Sequence, residues 1–257
     1  MKIATFNING IRPRLDALLK WLERESPDIV CLQELKATDA QFPADAITNA
    51  GYGALWHGQQ SWNGVAILAK GAEPQLSRRG LPGFEDDTHS RYIEAAVSGL
   101  VIGCLYLPNG NPPASEKYPY KLAFMERLIA HARMLIRYEE PLVLAGDFNV
   151  IPEPRDAAHP EDWTNDALFL PQTRSEFREL LALGLTDALR ATTDASGLYT
   201  FWDYQAGAWQ KNNGIRIDHL LLSPQAADRL QSVTIDKEMR GKDKASDHTP
   251  ARVELAL

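Results

Sequence analysis

Short apolar runs alternate along this chain with segments in which apolar residues recur every three or four positions. The runs Ile3–Phe6, Asp28–Leu32, Gly64–Ala69, Tyr92–Val97, Val101–Leu107 and Pro141–Ala145 are short and nearly continuous, so they predict buried strands. Tyr199–Trp202 and Ile215–Leu222 predict two more. Leu15, Leu18, Leu19 and Leu22 keep helical spacing up to a stop at Pro27, and a longer stripe runs from Leu122 through Met125, Leu128, Ile129 and Ala132 to Leu135. Thr173 and Glu176 have the spacing of a capping box, with Leu180 and Leu181 as the buried face and Gly184 as the stop. Ser223–Pro224 sets a cap ahead of a helix-starting proline. The polar, acidic stretch Pro152–Asp166 predicts a long loop, of a length that in compact domains tends to carry function. With strands and helices interspersed and no repeat or linker between them, the pattern predicts one α/β domain over residues 1–257.

Composition narrows the class. The 257 residues suffice for one large core, and 44% hydrophobic with 24% charged residues exclude a disordered, collagen-like or coiled-coil chain. Lys plus Arg number 27 against 34 Asp plus Glu, a net charge of −7, which excludes coating nucleic acid by bulk positive charge. A nucleic-acid enzyme with a local basic rim stays compatible. Cys31 and Cys104 sit singly in apolar runs and predict neither a disulfide framework nor a zinc site, in keeping with a reduced setting. The start, MKIATFNING, turns polar too early for a signal peptide, and no apolar stretch nears the ~20 residues that span a bilayer. A cytoplasmic protein without a membrane partner is expected.

The candidate chemistry lies where apolar runs end. Asn7 and Asn9, Glu34, Tyr106 and Asn109, Asp147 and Asn149, Asp218, and finally Asp247 with His248 each follow or interrupt such a run. Taken singly, most are ordinary turn or cap residues. Asp218 is harder to explain so, because an unpaired carboxylate inside the strand IRIDHLLL is costly. Together they would meet at one edge of a sheet, where α/β scaffolds hold reactive groups. Carboxylates and amides without thiols suit a hard ion such as Mg²⁺ or Mn²⁺, and a metal, an anion and a histidine together point to phosphoester hydrolysis. No GxGxxG, GxxxxGK, HExxH or GxSxG motif supports another chemistry.

In order, FNING, LQELK, YLPNG, GDFNV, YTFWDYQ with NNGIRIDHLL, and SDHTP resemble the exonuclease III branch of the abasic-site DNA endonucleases, within the endonuclease/exonuclease/phosphatase superfamily, from Lys2 to Pro250. The resemblance implies a four-layered α/β sandwich, two packed mixed sheets flanked by helices, with the site at one end. It implies Glu34 as principal metal ligand with Asn7 and Asp247 near the ion, which would be Mg²⁺ or Mn²⁺. Asp147 would activate or orient water, with Asn149 in support. His248, held by Asp218, would donate to a phosphate oxygen, and Tyr106 and Asn109 would contact the phosphate or the leaving oxygen. Phe201, Trp202, Ile215 and Ile217 would form an apolar pocket for a flipped-out baseless sugar. Large aromatics are common in relatives where this chain has Phe201 or Ile215, which predicts a looser pocket. Asn9 stands where some relatives have a carboxylate. Lys36, Arg91, Lys117, Lys121, Lys211, Arg216, Lys242 and Lys244 are candidates for backbone phosphates, and Trp209 either stacks on DNA or simply packs. The implied activity is cleavage 5′ to abasic sites and trimming of 3′ ends on duplex DNA, by a monomer. A phosphatase for small or lipid phosphates and a non-catalytic nucleic-acid-binding regulator are the alternatives on the same scaffold.

Overall fold

The computed structural model describes residues 1–256. In chain order the strands are β1 (Lys2–Asn7), β2 (Ile29–Gln33), β3 (Tyr52–His57), β4 (Val65–Lys70), β5 (Gln75–Arg79) and β6 (Tyr92–Val97). They continue with β7 (Leu100–Tyr106), β8 (Leu142–Asp147), β9 (Thr186–Asp187), β10 (Asp218–Leu222), β11 (Leu230–Ile235) and β12 (Ala251–Leu255). The helices are α1 (Leu15–Glu25), α2 (Ala44–Asn49), α3 (Lys117–Ile136), α4 (Pro171–Ala182), α5 (Ala188–Thr192) and α6 (Pro224–Ala227).

These strands form two six-stranded sheets, ordered β11-β12-β1-β2-β4-β3 and β5-β6-β7-β8-β10-β9. Each is mixed, since β1–β2 and β7–β8 pair parallel and their other neighbours antiparallel. Period-two alternation divides each strand between two layers. Ile3, Ile29, Cys31, Ile102, Cys104, Val143, Ala145, Leu220 and Leu222 fill the space between the sheets. Ala4, Phe6, Val30 and Leu32 turn outward under Leu18, Trp21 and Leu22 of α1. Leu105, Leu142, Leu144 and Leu221 turn outward under α3 and α4. The result is the expected four-layered sandwich. Gly146 permits the close approach of β7 and β8, because a Cβ there would lie 1.9 Å from the Leu105 carbonyl oxygen.

Several local expectations need correction. Tyr199–Trp202 forms no strand, only bridges from Phe201 to Ile215 and His248, and the predicted strand from Ile215 begins at Asp218. Thr173 lies within α4 and donates its hydroxyl to the Ala167 carbonyl, so it caps nothing; the helix opens on Pro171. Ser223 precedes α6 as expected, but its hydroxyl accepts from Leu142 N–H and reaches the Glu140 carbonyl rather than capping. The loop 152–166 contains two short 3-10 turns, Pro154–Asp156 and Pro160–Trp163. Among the described residues no helix is long and apolar enough to cross a membrane.

The approach to β10 is fixed by buried ions. Arg216, 1% exposed, donates from Nε to Asp156 Oδ1 at 2.7 Å and pairs through Nη2 with Asp187 Oδ2 at 2.9 Å. Arg190 reaches Asp156 at 2.5 Å. Arg216 is therefore not a phosphate contact. Burial alone would raise both carboxyls, but the arginines outweigh it and hold Asp156 and Asp187 below the ordinary carboxylate range. A depressed carboxyl contributes stability that is full above its unfolded-state pKa and is lost as pH falls through its folded one. The stability gap between wild type and Asp187→Asn should thus be full at neutral pH and close below about pH 4. Urea midpoints across pH measure it, and a gap that does not shrink would contradict the pairing.

Candidate active site

Four candidate side chains reach one place because they share a parity. Asn7 continues the inward series of Ile3 in β1, and Asp147 that of Val143 and Ala145 in β8. Tyr106 ends the inward series of β7, and Asp218 starts that of β10 directly opposite Asp147. All therefore emerge at the same end of the layer between the sheets. Around them the chain turns sharply: Asn9, Glu34, Lys36 and Asn149 have φ of 48°, 52°, 50° and 48°. Left-handed backbone at residues other than glycine costs on the order of 1–3 kcal/mol each and gathers where function over-determines the geometry. It aims Glu34, just past β2, back over the site.

Asn7 is the hub. Its Nδ2 donates to Glu34 Oε1 at 2.9 Å and to Asp147 Oδ2 at 3.0 Å, while its Oδ1 accepts Asn9 N–H at 3.1 Å. Asn7, expected near the ion, thus meets the carboxylates as a donor. His248 Nδ1 pairs with Asp218 Oδ2 at 2.8 Å, and its Nε2 lies 3.7 Å from Asp147 Oδ2. Burial alone would lower the imidazole, but Asp218 and Asp147 raise it well above its usual range. Burial raises Asp147, with His248 pulling it back. Burial also works against the Glu34 carboxylate, yet Lys36 and Asn7 hold it low.

The donor set fits a hard divalent cation. Ligand atoms of Glu34, Asp147 and His248 lie within 4.8 Å of one another. A cation is already favoured beside Glu34, whose Oε2 takes the Lys36 ammonium at 2.9 Å while Asn9 Oδ1 takes it at 2.5 Å. Asp247, expected beside the ion, is reached through Asn9, whose Nδ2 donates to its Oδ1 at 2.9 Å.

On the opposite side two loops are locked together. Asn149 N–H donates to Asp147 Oδ1 at 2.9 Å, Asn149 Nδ2 to the Leu107 carbonyl at 2.9 Å, and Asn109 Nδ2 to Asn149 Oδ1 at 3.1 Å. Lys121, fully buried, ties the carbonyls of Asn109 and Asn149, and burial pushes its ammonium down to about 7. It is a structural clamp rather than a phosphate contact. Gly110 makes room for it, since a Cβ there would meet Lys121 Cδ at 2.7 Å. Arg91 stacks on Tyr106, 4.8 Å from guanidinium carbon to ring centroid, and donates to its carbonyl at 3.2 Å.

A 370 Å³ cavity joins these groups, with Glu34, Tyr106, Asn109, Asp147, Asn149 and His248 on one side. Phe201 and Ile217 line it as expected, but Trp202 and Ile215 do not: Trp202 is fully buried and Ile215 packs behind. The sequence reading missed Trp163 and Leu168, which complete the apolar wall from the long loop region. The available signal was the apolar character of Trp163 in an otherwise polar loop and of the run Ala167–Leu170 that follows it. Of the basic candidates, Lys117, Lys211, Lys242 and Lys244 are exposed. Lys242 and Lys244 line a 590 Å³ groove with Arg14 and Lys20 beside α1. Trp209 packs edge-on to Trp202, with ring centroids 5.1 Å apart.

Known proteins resemble this chain in sequence and fold. The sequence pattern of the Endonuclease/Exonuclease/phosphatase family matches residues 4–248. Exodeoxyribonuclease III of Haemophilus influenzae is 34% identical, covering 99% of this chain and 100% of the relative. A Neisseria 3′ phosphatase solved with a product DNA hairpin superposes with a TM-score of 0.97 at 38% identity, and an AP endonuclease from Archaeoglobus fulgidus with 0.96 at 36%, each covering 100% of both chains. The chain therefore belongs to the endonuclease/exonuclease/phosphatase family, in its exonuclease III and AP endonuclease branch.

Proposed function

We propose that this protein is a Mg²⁺-dependent DNA-repair phosphodiesterase that cleaves 5′ to abasic sites and trims 3′ ends of duplex DNA, acting as a monomer. The carrying observation is the shared cavity, in which Glu34, Asp147 and His248 face the apolar wall of Phe201, Ile217, Trp163 and Leu168. The names of its relatives, an exodeoxyribonuclease III, an AP endonuclease and a 3′ phosphatase, support the same chemistry.

Glu34 would hold the ion, with Asp247 behind Asn9. Bound there, Mg²⁺ supplies neutralisation of charge on the phosphate, and Mn²⁺ would suit the same oxygens. Asp147 orients the attacking water and takes its proton. His248 donates from Nε2 to a phosphate oxygen as negative charge grows, with Nδ1 held by Asp218. Asn109 and the Tyr106 hydroxyl contact the phosphate or the departing oxygen, while Asn149 fixes Asp147 through its backbone N–H. The apolar wall receives a sugar without a base. Lys36, Arg91 and the groove lined by Lys242 and Lys244 meet backbone phosphates, so affinity falls as salt rises.

A duplex carrying a tetrahydrofuran site should be nicked on its 5′ side with Mg²⁺ and stay intact with EDTA. A duplex left uncut, with an inositol phosphate hydrolysed instead, would move the assignment to small phosphates.

A further inference from the structure

Asp218 is 2% exposed and uses only half of its carboxylate in the contacts described above. Oδ2 holds His248 Nδ1 at 2.8 Å, whereas Oδ1 is buried and has no protein partner. A buried carboxylate oxygen left unbonded costs the desolvation of a charged group, so native structures satisfy such atoms with protein or ordered water. Beside it lies a small cavity of 10 Å³ between the sheets, lined by Asp218, Thr200, Arg216, His219 and Asp187 together with apolar residues. Roughly 10–15 Å³ of such space, with two to four polar partners, is what one buried water requires.

Thr200 has the matching chemistry. It is 1% exposed, and its Oγ1 accepts the backbone N–H groups of Ile217 and Asp218, each at 3.1 Å. Both acceptor positions are thus taken and its own proton remains to be donated. The far wall is rigid and internally satisfied. Arg216 is bonded to Asp156 and Asp187 and reaches His219 Nδ1 at 2.9 Å, and His219 Nε2 meets the Val150 carbonyl at 2.9 Å.

We infer that this cavity holds one ordered water bonded to Asp218 Oδ1, and that Thr200, bonded to the same water, is a positioning residue for the His248–Asp218 pair. The water closes the hydrogen bonding of the carboxylate and stops it rotating about its Cβ–Cγ bond. The imidazole is thereby held in line from behind. This rests on the proposed role of His248.

The test is a high-resolution crystal structure of the full chain, with Thr200→Val and Thr200→Ser beside it. One water peak bonded to Asp218 Oδ1 and Thr200 Oγ1 is expected in wild type and Thr200→Ser. In Thr200→Val the His248 Nδ1 proton resonance should move upfield, and kcat on nicked or abasic duplex should fall about tenfold with KM unchanged. Thr200→Ser should restore both. A dry cavity in wild type, or a folded Thr200→Val with unaltered resonance and kcat, overturns the proposal. If Thr200→Val does not fold, the wild-type and Thr200→Ser density still decides. Density and resonance are read without DNA, so a water in place in a protein that cuts no DNA counts against the functional reading alone.

Discussion

Asp147→Asn is expected to lower turnover on abasic duplex by about 10²–10⁴-fold, the range for loss of a positioned general base. Asp147 is 1% exposed, and each of its oxygens has a separate task. Oδ1 accepts Asn149 N–H at 2.9 Å and keeps the loop in place, a bond that an asparagine oxygen would preserve. Oδ2 faces Asn7 Nδ2 at 3.0 Å and His248 Nε2 at 3.7 Å, and there the variant would present an N–H₂ that cannot take a proton. Burial already disfavours the charged form of Asp147, which offsets the donor-to-donor contact that the new N–H₂ makes with Asn7 Nδ2, so the thermal midpoint should change little. Glu34→Gln should act similarly, because it removes the charge that holds Lys36 and would hold the ion. Steady-state kinetics and a melting curve on the same samples check both variants. Near wild-type turnover in either would remove that residue from the mechanism.

Arg216→Met should cost about 3–5 kcal/mol of stability, the penalty for breaking a buried ion pair from one side. Asp156 is 0% exposed and Asp187 7%, and the Arg216 guanidinium joins the two between β9 and the turn at Pro154. Arg190 would still serve Asp156, but Asp187 would lose both of its Arg216 bonds, at 3.1 and 2.9 Å. Since Arg216 stands between Ile215 and Ile217, the loss should also loosen the pocket wall. Urea midpoints at neutral pH give the magnitude. A variant within 1 kcal/mol of wild type, far below the range expected for a buried pair, would show that the network relaxes without its centre.

Arg216 also shows where reading the sequence falls short. A basic residue beside a motif has the same appearance on a surface as inside an ion network, and only the distant partners Asp156 and Asp187 tell them apart. Lys121 misled in the same way, its partners being backbone carbonyls that no sequence pattern displays. Asn7, Tyr106 and Asp147 are legible because apolar runs with a fixed parity deliver their last residue to a defined layer, and Asp218 because it opens such a run; Glu34 and His248 are legible only through the motifs around them, since left-handed backbone and a loop place them. β5 and β11 are not, since β5 is exposed along its whole length and β11 is half-exposed. Phe201 carried a strand-like sequence yet makes only bridges, because its backbone partners Ile215 and His248 lie on different segments.

The hydrogen bonds of Asn7 link the two halves of the molecule. One proton of its amide reaches Glu34, which belongs to the sheet of β1 and β2, and the other reaches Asp147, at the end of β8 in the facing sheet. A slide of one sheet over the other by even a single side chain's width would break one of these bonds. Cleavage therefore reports assembly: neither sheet alone carries a competent site. During refolding, activity should appear only with the final docking of the sheets, after each has acquired its own strand pairing. Under mild denaturation it should vanish while most of the secondary structure persists.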